Sequence, residues 1–329
     1  MFENNTIFKY DVENLEWTLP CQFQYEPVFG AIQNAIIELG YEPLRANIFG
    51  APATIWSGGR KPTIYRELSN KELEKRFEYI TSLNGIPTFT FSCTVVEKEH
   101  LYDKYANRIL DVAFDFGARF IIFSDMLRDY IKKRNPNAHT VSSVVKAICH
   151  FQGPDRIEDP IPELETNYYN KLLKEYDTVV VRPEYSKSVL VKNPYILDDL
   201  SRIEVMINQL CVSSCVNAPL HSKTLEKMRV KPKRMDEFIC PKHKMPLHLQ
   251  YRTNSSHTTQ DTMALLKAGI RNLKLQGRGE PVANFTTILA LSSQIFRFDG
   301  ANNLFVRSLL KEKLDIELEH FEKLIKDCE

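Results

Sequence analysis

The feature that most constrains the fold is a repeated alternation of short apolar runs with longer amphipathic stretches. Such alternation is typical of strand–helix units, which build a parallel sheet. About eight runs predict strands that point in one direction, and this number favours a closed barrel over an open sheet. We therefore expect an α/β chain with a (βα)8-type, TIM-like barrel. The strand candidates are residues 45–49, 88–91, 120–123, 141–145, 178–181, 203–207, 247–251 and 272–275.

Helical periodicity between these runs predicts the outer helices and the limits of the barrel. Ser69 and Glu72 have the spacing of a capping box, which predicts a helix start at Ser69. The predicted helices cover residues 29–39, 69–83, 102–116, 124–135, 167–175 and 258–268. The chain then divides into an N-terminal extension over residues 1–28, a barrel over 29–300 and a C-terminal helix over 301–329, whose apolar stripe packs on the barrel.

Composition restricts the partners and the compartment. The net charge is +1, so no overall field attracts the chain to nucleic acid or to an anionic membrane. No apolar run approaches the length that spans a bilayer, and the first residues lack the apolar core of a secretory signal. Seven cysteines without an export signal indicate a reducing compartment. We expect a cytoplasmic protein that has no membrane partner and acts on a small-molecule or nucleic-acid substrate.

Three cysteines carry the sharpest chemical signal. Cys211 and Cys215 directly follow the predicted strand 203–207, and Cys240 opens a Cys-Pro-Lys-His segment. Thiolates are soft ligands that suit iron–sulfur clusters and zinc, and proline often follows a cluster-binding cysteine. The pattern therefore predicts an iron–sulfur cluster held by these three residues at the barrel mouth. Cys93 ends another predicted strand and is the candidate fourth ligand, unless one iron stays open for substrate or water.

Two alternatives to the cluster stay open at this stage. Zinc could be held by the same cysteines with His221 or His243 as a further ligand, although structural zinc usually prefers Cys-x2-Cys spacing. The cysteines could also be buried thiols that act as small hydrophobic residues. The Cys-x3-Cys-x2-Cys motif of radical enzymes that bind S-adenosylmethionine is excluded, because Ala218 occupies its third cysteine position.

Charged residues at strand ends are the candidates for substrate contact. Arg278 follows the last predicted strand, while Arg182 and Glu184 follow the strand at 178–181. A guanidinium there can hold a carboxylate, a phosphate or a nucleobase, and the alternative is a structural ion pair in the barrel rim. The basic stretch 223–234 can contact phosphates, or it can be a solvated helix and loop.

Residues 273–278, Leu-Lys-Leu-Gln-Gly-Arg, resemble the lysine, apolar, glutamate, Gly-Arg signature of the collagenase-like peptidase family U-thirty-two. Gln276 stands where that signature has its acid, and the resemblance covers roughly residues 87–278. The resemblance implies a barrel with a [4Fe–4S] cluster and oxygen-independent hydroxylation of RNA bases or quinone precursors. The cysteine spacing of this chain differs from the spacing of well-known members.

Hydrolase motifs are missing from the sequence. It contains neither a Gly-x-Ser-x-Gly elbow nor a His-Glu-x-x-His zinc motif. The sequence therefore favours a cluster-dependent enzyme that modifies an organic substrate, with oxygen-independent hydroxylation of a nucleobase or other ring as one form. The alternatives are a zinc-stabilised binding module without turnover and a peptidase.

Overall fold

A computed structural model describes residues 15–23, 26–58, 66–209, 211–230, 256–276, 295 and 303–326. Eight parallel strands form a closed barrel in chain order, in which β8 pairs with β1. This confirms the predicted α/β class and the closed parallel barrel. The strands are β1 (Glu16–Leu19), β2 (Arg45–Gly50), β3 (Gly85–Phe91), β4 (Arg119–Ile122), β5 (His139–Ser142), β6 (Thr178–Val181), β7 (Ile203–Met206) and β8 (Asn272–Lys274).

Helices surround the barrel, and most of them begin where the sequence predicts. The Ser69 hydroxyl accepts a hydrogen bond from the Glu72 N–H, and the Glu72 carboxylate accepts one from the Ser69 N–H, so the capping box is confirmed. The last helix, α9, packs against α1 and closes the outer ring. The helices are α1 (Glu26–Glu38), α2 (Asn70–Ser82), α3 (Lys104–Asp115), α4 (Asp125–Arg134), α5 (Val144–Phe151), α6 (Pro162–Glu175), α7 (Ala218–Val230), α8 (Thr259–Lys267) and α9 (Asn303–Lys326).

The barrel begins earlier in the chain than predicted. Strand β1 lies inside the segment that the sequence analysis assigned to an N-terminal extension. Its four residues include Glu16, which points into the barrel, where it pairs with Arg119 and accepts a 2.7 Å hydrogen bond from Asn47. A strand this short with a charged residue has no apolar run to reveal it. The strand predicted at 247–251 lies outside the described residues, and the barrel closes through β1 instead.

The connection between β6 and β7 departs from the strand–helix alternation. It contains short helical turns, and within residues 182–202 no helix reaches two full turns. Proline lacks the backbone N–H that a helix interior needs, and Pro183 and Pro194 each open one of these turns. The (βα)8 pattern is therefore only partly present. The turns are Pro183–Tyr185, Ser186–Leu190, Pro194–Ile196 and Leu200–Arg202.

The two faces of each strand bury different residues. The outer face packs against the helices and is apolar, as at Phe89, Phe91 and Phe120, whose rings stack at 5.7–6.0 Å. A smaller apolar cluster that includes Phe49 and Met206 lies nearer the carboxyl ends of the strands.

In the part of the chain that the structure describes, no helix is long and apolar enough to cross a membrane.

His139 is the first residue of β5 and lies near the Arg119 guanidinium. Its protonation links the stability of the fold to pH. Burial, and then the nearby Arg119 guanidinium, lower the pKa of His139 to about 4, and its Nε2 lies 2.9 Å from the Thr178 hydroxyl. The imidazole is thus neutral in the folded state, so its contribution is complete above the unfolded pKa near 6.5 and is lost as the pH falls towards 4.

We expect the free energy of unfolding to fall by about 1–2 kcal/mol between pH 7 and pH 5 because of this residue. Urea denaturation of the wild type and of His139→Gln at both pH values measures the effect. The variant should lose this part of the pH dependence. An identical pH dependence in the two proteins would show that His139 is not held neutral by the fold.

Candidate functional site at the barrel mouth

The carboxyl ends of the eight strands, here called the mouth, surround a small cleft. In parallel barrels this end carries the active site, because the strand ends and the loops after them converge there. One rim of the cleft is tied together by the Ser92 hydroxyl, which donates to the Ser143 hydroxyl over 2.9 Å. The cleft is lined by Phe49, Thr90, Ser92, Ile121, Ser143, Val144, Met206, Lys274 and Gln276.

A buried ion pair beside this cleft was not predicted from the sequence. The Lys274 ammonium donates to Glu204 Oε1 over 2.7 Å, and the Thr18 hydroxyl donates to Glu204 Oε2 over 2.5 Å. Lys274 and Glu204 are only 5% and 3% exposed, so the pair is largely removed from water. The alternation on β8, with apolar Leu273 and polar Lys274, was the available signal for a polar side chain that points into the barrel.

Asn208 joins the ends of β7 and β8 at the mouth. Its Nδ2 donates to the Gln276 carbonyl over 2.7 Å, and its Oδ1 accepts from the Gln276 N–H at 2.6 Å. These two bonds continue the strand pairing through a side chain and place Gln276 at the cleft. Arg278, the predicted substrate ligand, lies two residues further on and outside the described residues, so its role stays a prediction.

Arg182 lies at the end of β6 in an ion pair with Glu165 on α6. Its Nε and Nη2 donate to the Glu165 carboxylate over 3.1 and 2.8 Å, and Arg182 is 2% exposed. Burial alone would lower the pKa of Arg182, but the hydrogen bonds to Glu165 reverse this effect and raise it. This geometry favours the structural ion pair over direct substrate contact, and the predicted catalytic role of Arg182 stays a prediction.

Glu184 contacts the segment that carries the two described candidate ligands. Residues 211–217, here called the cysteine loop, lie between β7 and α7, and Cys211 and Cys215 are both half-buried. Glu184 Oε1 accepts a 2.7 Å hydrogen bond from the backbone N–H of Ser214, which has the left-handed φ of 51°. The predicted site residue Glu184 therefore holds the cysteine loop in place.

A glycine supports the cysteine loop from another side. Gly153 has a φ of 88°, and a Cβ atom at this position would lie 3.1 Å from the Val216 carbonyl oxygen and 3.2 Å from Pro219 Cγ. Any side chain would thus be strained by the backbone and crowded by the loop. The backbone at Gly153 therefore lies close to the cysteine loop, and the sequence analysis predicted neither this proximity nor the Glu184 contact.

The other predicted ligands do not converge with the cysteine loop in the described residues. Cys93 is 1% exposed, does not line the cleft, and donates its N–H to the Trp56 carbonyl over 3.1 Å. Cys240 lies outside the described residues, as does His243. Among the residues that are described, the one group of three possible ligands within 4.8 Å is Glu97, Glu99 and His100, with both carboxylates exposed.

A serine–histidine pair near the mouth is buried. The Ser186 hydroxyl donates to the Pro183 carbonyl over 3.0 Å and lies 3.0 Å from His257 Nε2. Ser186 is 0% exposed, so its hydroxyl is not accessible to a peptide substrate in this structure. The pair instead joins the turn after β6 to the segment before α8.

Removing the Glu184 carboxylate should release the cysteine loop. We expect Glu184→Ala to increase the rate at which a disulfide reagent modifies Cys211 and Cys215 by roughly tenfold, since a charge-assisted hydrogen bond contributes about 1.5–3 kcal/mol. Timed labelling followed by peptide mass analysis gives the rate for each thiol. Glu158→Ala on the neighbouring surface loop is the control, and equal rates in all three proteins would argue against this role of Glu184.

Comparisons with known proteins identify no family for this chain. A scan against protein-family models found no match, and a search of curated proteins found no similar sequence. The resemblance to the collagenase-like peptidase family therefore remains an expectation from the motif at residues 273–278 and the neighbouring cysteines.

Proposed function

We propose that this chain is a cluster-dependent enzyme that modifies an organic substrate at the barrel mouth, with Cys211, Cys215 and Cys240 as ligands of a [4Fe–4S] cluster. The observation that carries the proposal is the position of the cysteine loop, directly after β7 and at the end of the barrel where active sites form. Cysteine thiolates are the ligands that iron–sulfur clusters use.

Cys215 lies next to the N-terminus of α7. The Cys215 carbonyl accepts a hydrogen bond from the Ala218 N–H, so this cysteine lies immediately before the first turn of α7. Cys211 and Cys215 are the two proposed ligands that the structure describes, and Cys240 is the proposed third ligand.

The residues of the mouth would position the substrate beside this centre. When bound, an iron–sulfur cluster supplies electron transfer or a Lewis-acidic iron. Lys274 and the Ser92–Ser143 pair offer hydrogen-bond donors in the cleft, and Glu184 keeps the cysteine loop next to the mouth. Arg278 is the proposed ligand of a charged or ring-bearing substrate, and a nucleobase is one proposed ring.

Metal content of matched cysteine variants tests the proposal. The wild type, Cys211→Ala and Cys149→Ala are purified without oxygen, and iron, sulfide and zinc are measured in each. Cys149 is an equally half-buried thiol, located on α5. We expect Cys211→Ala to lose its iron and Cys149→Ala to keep it. Iron retained in Cys211→Ala would show that Cys211 is not a ligand. Zinc without iron in the wild type would indicate the zinc-stabilised binding module.

A further inference from the structure

We infer that the mouth cleft binds a neutral amide-type group, a carbonyl that carries an N–H, against Thr90 and Lys274. None of the residues that carry this inference is a cysteine. It therefore goes beyond the proposed function, and it can fail or hold independently of any metal.

Thr90 supplies the first observation. Thr90 is 2% exposed, lines the cleft, and its Oγ1 has no hydrogen-bond partner among the described residues. Thr88, two residues earlier on the same strand, donates its hydroxyl to the Ile86 carbonyl over 3.1 Å. A buried hydroxyl without a partner costs folding free energy, so a ligand that pairs with it in the bound state explains its presence.

Lys274 decides the charge of the group that fits. It carries the only charge among the described side chains that line the cleft, and its ammonium is already neutralised by Glu204 at 2.7 Å. A bound carboxylate would place a second negative charge next to the same ammonium in a site with little water. A carbonyl oxygen accepts a hydrogen bond from the ammonium without adding charge.

The remaining walls of the cleft combine apolar and polar surface. Phe49 and Met206 line the cleft with apolar surface, and the Phe49 ring centre lies 4.9 Å from Lys274 Nζ. Ser92 and Ser143 add hydroxyls that both donate and accept. An amide matches this mixture, because its carbonyl accepts from Lys274 while its N–H donates to a hydroxyl such as Thr90 Oγ1.

Acetamide and acetate are the probes, since they have nearly the same shape and differ in charge. Methionines are labelled with ¹³C in the methyl group, the Met206 signal is assigned with Met206→Leu, and each probe is titrated into the full chain. We expect acetamide to shift the Met206 signal saturably and acetate to shift it at least fivefold less at equal concentration.

Thr90→Val and Thr88→Val form a matched pair of variants. We expect Thr90→Val to weaken acetamide binding at least fivefold and to raise the thermal midpoint by roughly 1–3 °C, because an unpartnered hydroxyl is removed. Thr88→Val should leave binding unchanged and should not raise the midpoint.

Three results would overturn the inference. Tighter binding of acetate than of acetamide would show that the cleft is an anion site. An unchanged Met206 signal with both probes would show that the cleft binds neither group. A lower thermal midpoint in Thr90→Val would show that this hydroxyl serves the fold.

Discussion

Glu204→Gln is expected to destabilise the barrel by about 3–5 kcal/mol, since it leaves the Lys274 ammonium buried without a carboxylate. The substitution keeps the shape of the side chain and an acceptor for the Thr18 hydroxyl, so the loss reports on charge. Lys274 donates to Glu204 over 2.7 Å, and both residues are almost fully buried. Urea denaturation at neutral pH measures the change in the free energy of unfolding.

Two controls separate this effect from a general loss of charge. Glu67→Gln removes the partner of Arg108 in a pair whose carboxylate side chain is 65% exposed, and we expect a cost below about 1 kcal/mol. Glu204→Gln combined with Lys274→Met removes both charges and should recover most of the stability. A cost below about 1 kcal/mol for Glu204→Gln alone would mean that water reaches the pair.

Gly30→Ala is expected to lower the free energy of unfolding by about 1–3 kcal/mol because it overpacks the contact between α1 and α9. A Cβ atom on Gly30 would overlap the Tyr79 hydroxyl oxygen and would lie 2.7 Å from Glu317 Oε2. Tyr79 donates to Glu317 over 2.6 Å, and Asn34 donates to the same carboxylate at 2.5 Å. The added methyl group must displace this hydrogen-bonded cluster.

Helix propensity alone predicts that Gly30→Ala raises the free energy of unfolding. The experiment therefore distinguishes the two effects. Alanine is favoured over glycine in a helix interior by about 0.8–1 kcal/mol. We expect the steric cost to exceed this gain in Gly30→Ala. In Gly30→Ala with Tyr79→Phe the clashing oxygen is gone, so the two changes should be less costly together than their sum. Chemical denaturation of the four proteins measures the cycle, and a stabilised Gly30→Ala would contradict the packing described here.

The sequence predicted seven of the eight strands from their apolar runs and missed β1. Strands such as β6, with four buried residues Thr178–Val181, follow directly from their composition. Strand β1 does not, because Glu16 belongs to a strand only once Arg119 and Arg45 surround it. Those partners come from β4 and β2, which are distant in the chain, so no local pattern contains the information.

The candidate site shows the same division between local and distant information. The cysteine loop was placed correctly after β7, because strand ends and thiols are visible in the sequence. Its contact with Glu184 could not be predicted, since the bond joins the loop to the turn after β6. Lys274 belongs to the motif at residues 273–278, and the sequence shows no partner for it. Its role as a buried cation depends on Glu204 on the neighbouring strand.

The metal content and visible spectrum of the wild-type chain, purified without oxygen, test the central claim most directly. The proposed function predicts a brown protein with about four iron and four sulfide per chain and broad visible absorption. A colourless protein that holds about one zinc, or no metal, and takes up no iron on anaerobic reconstitution would contradict it.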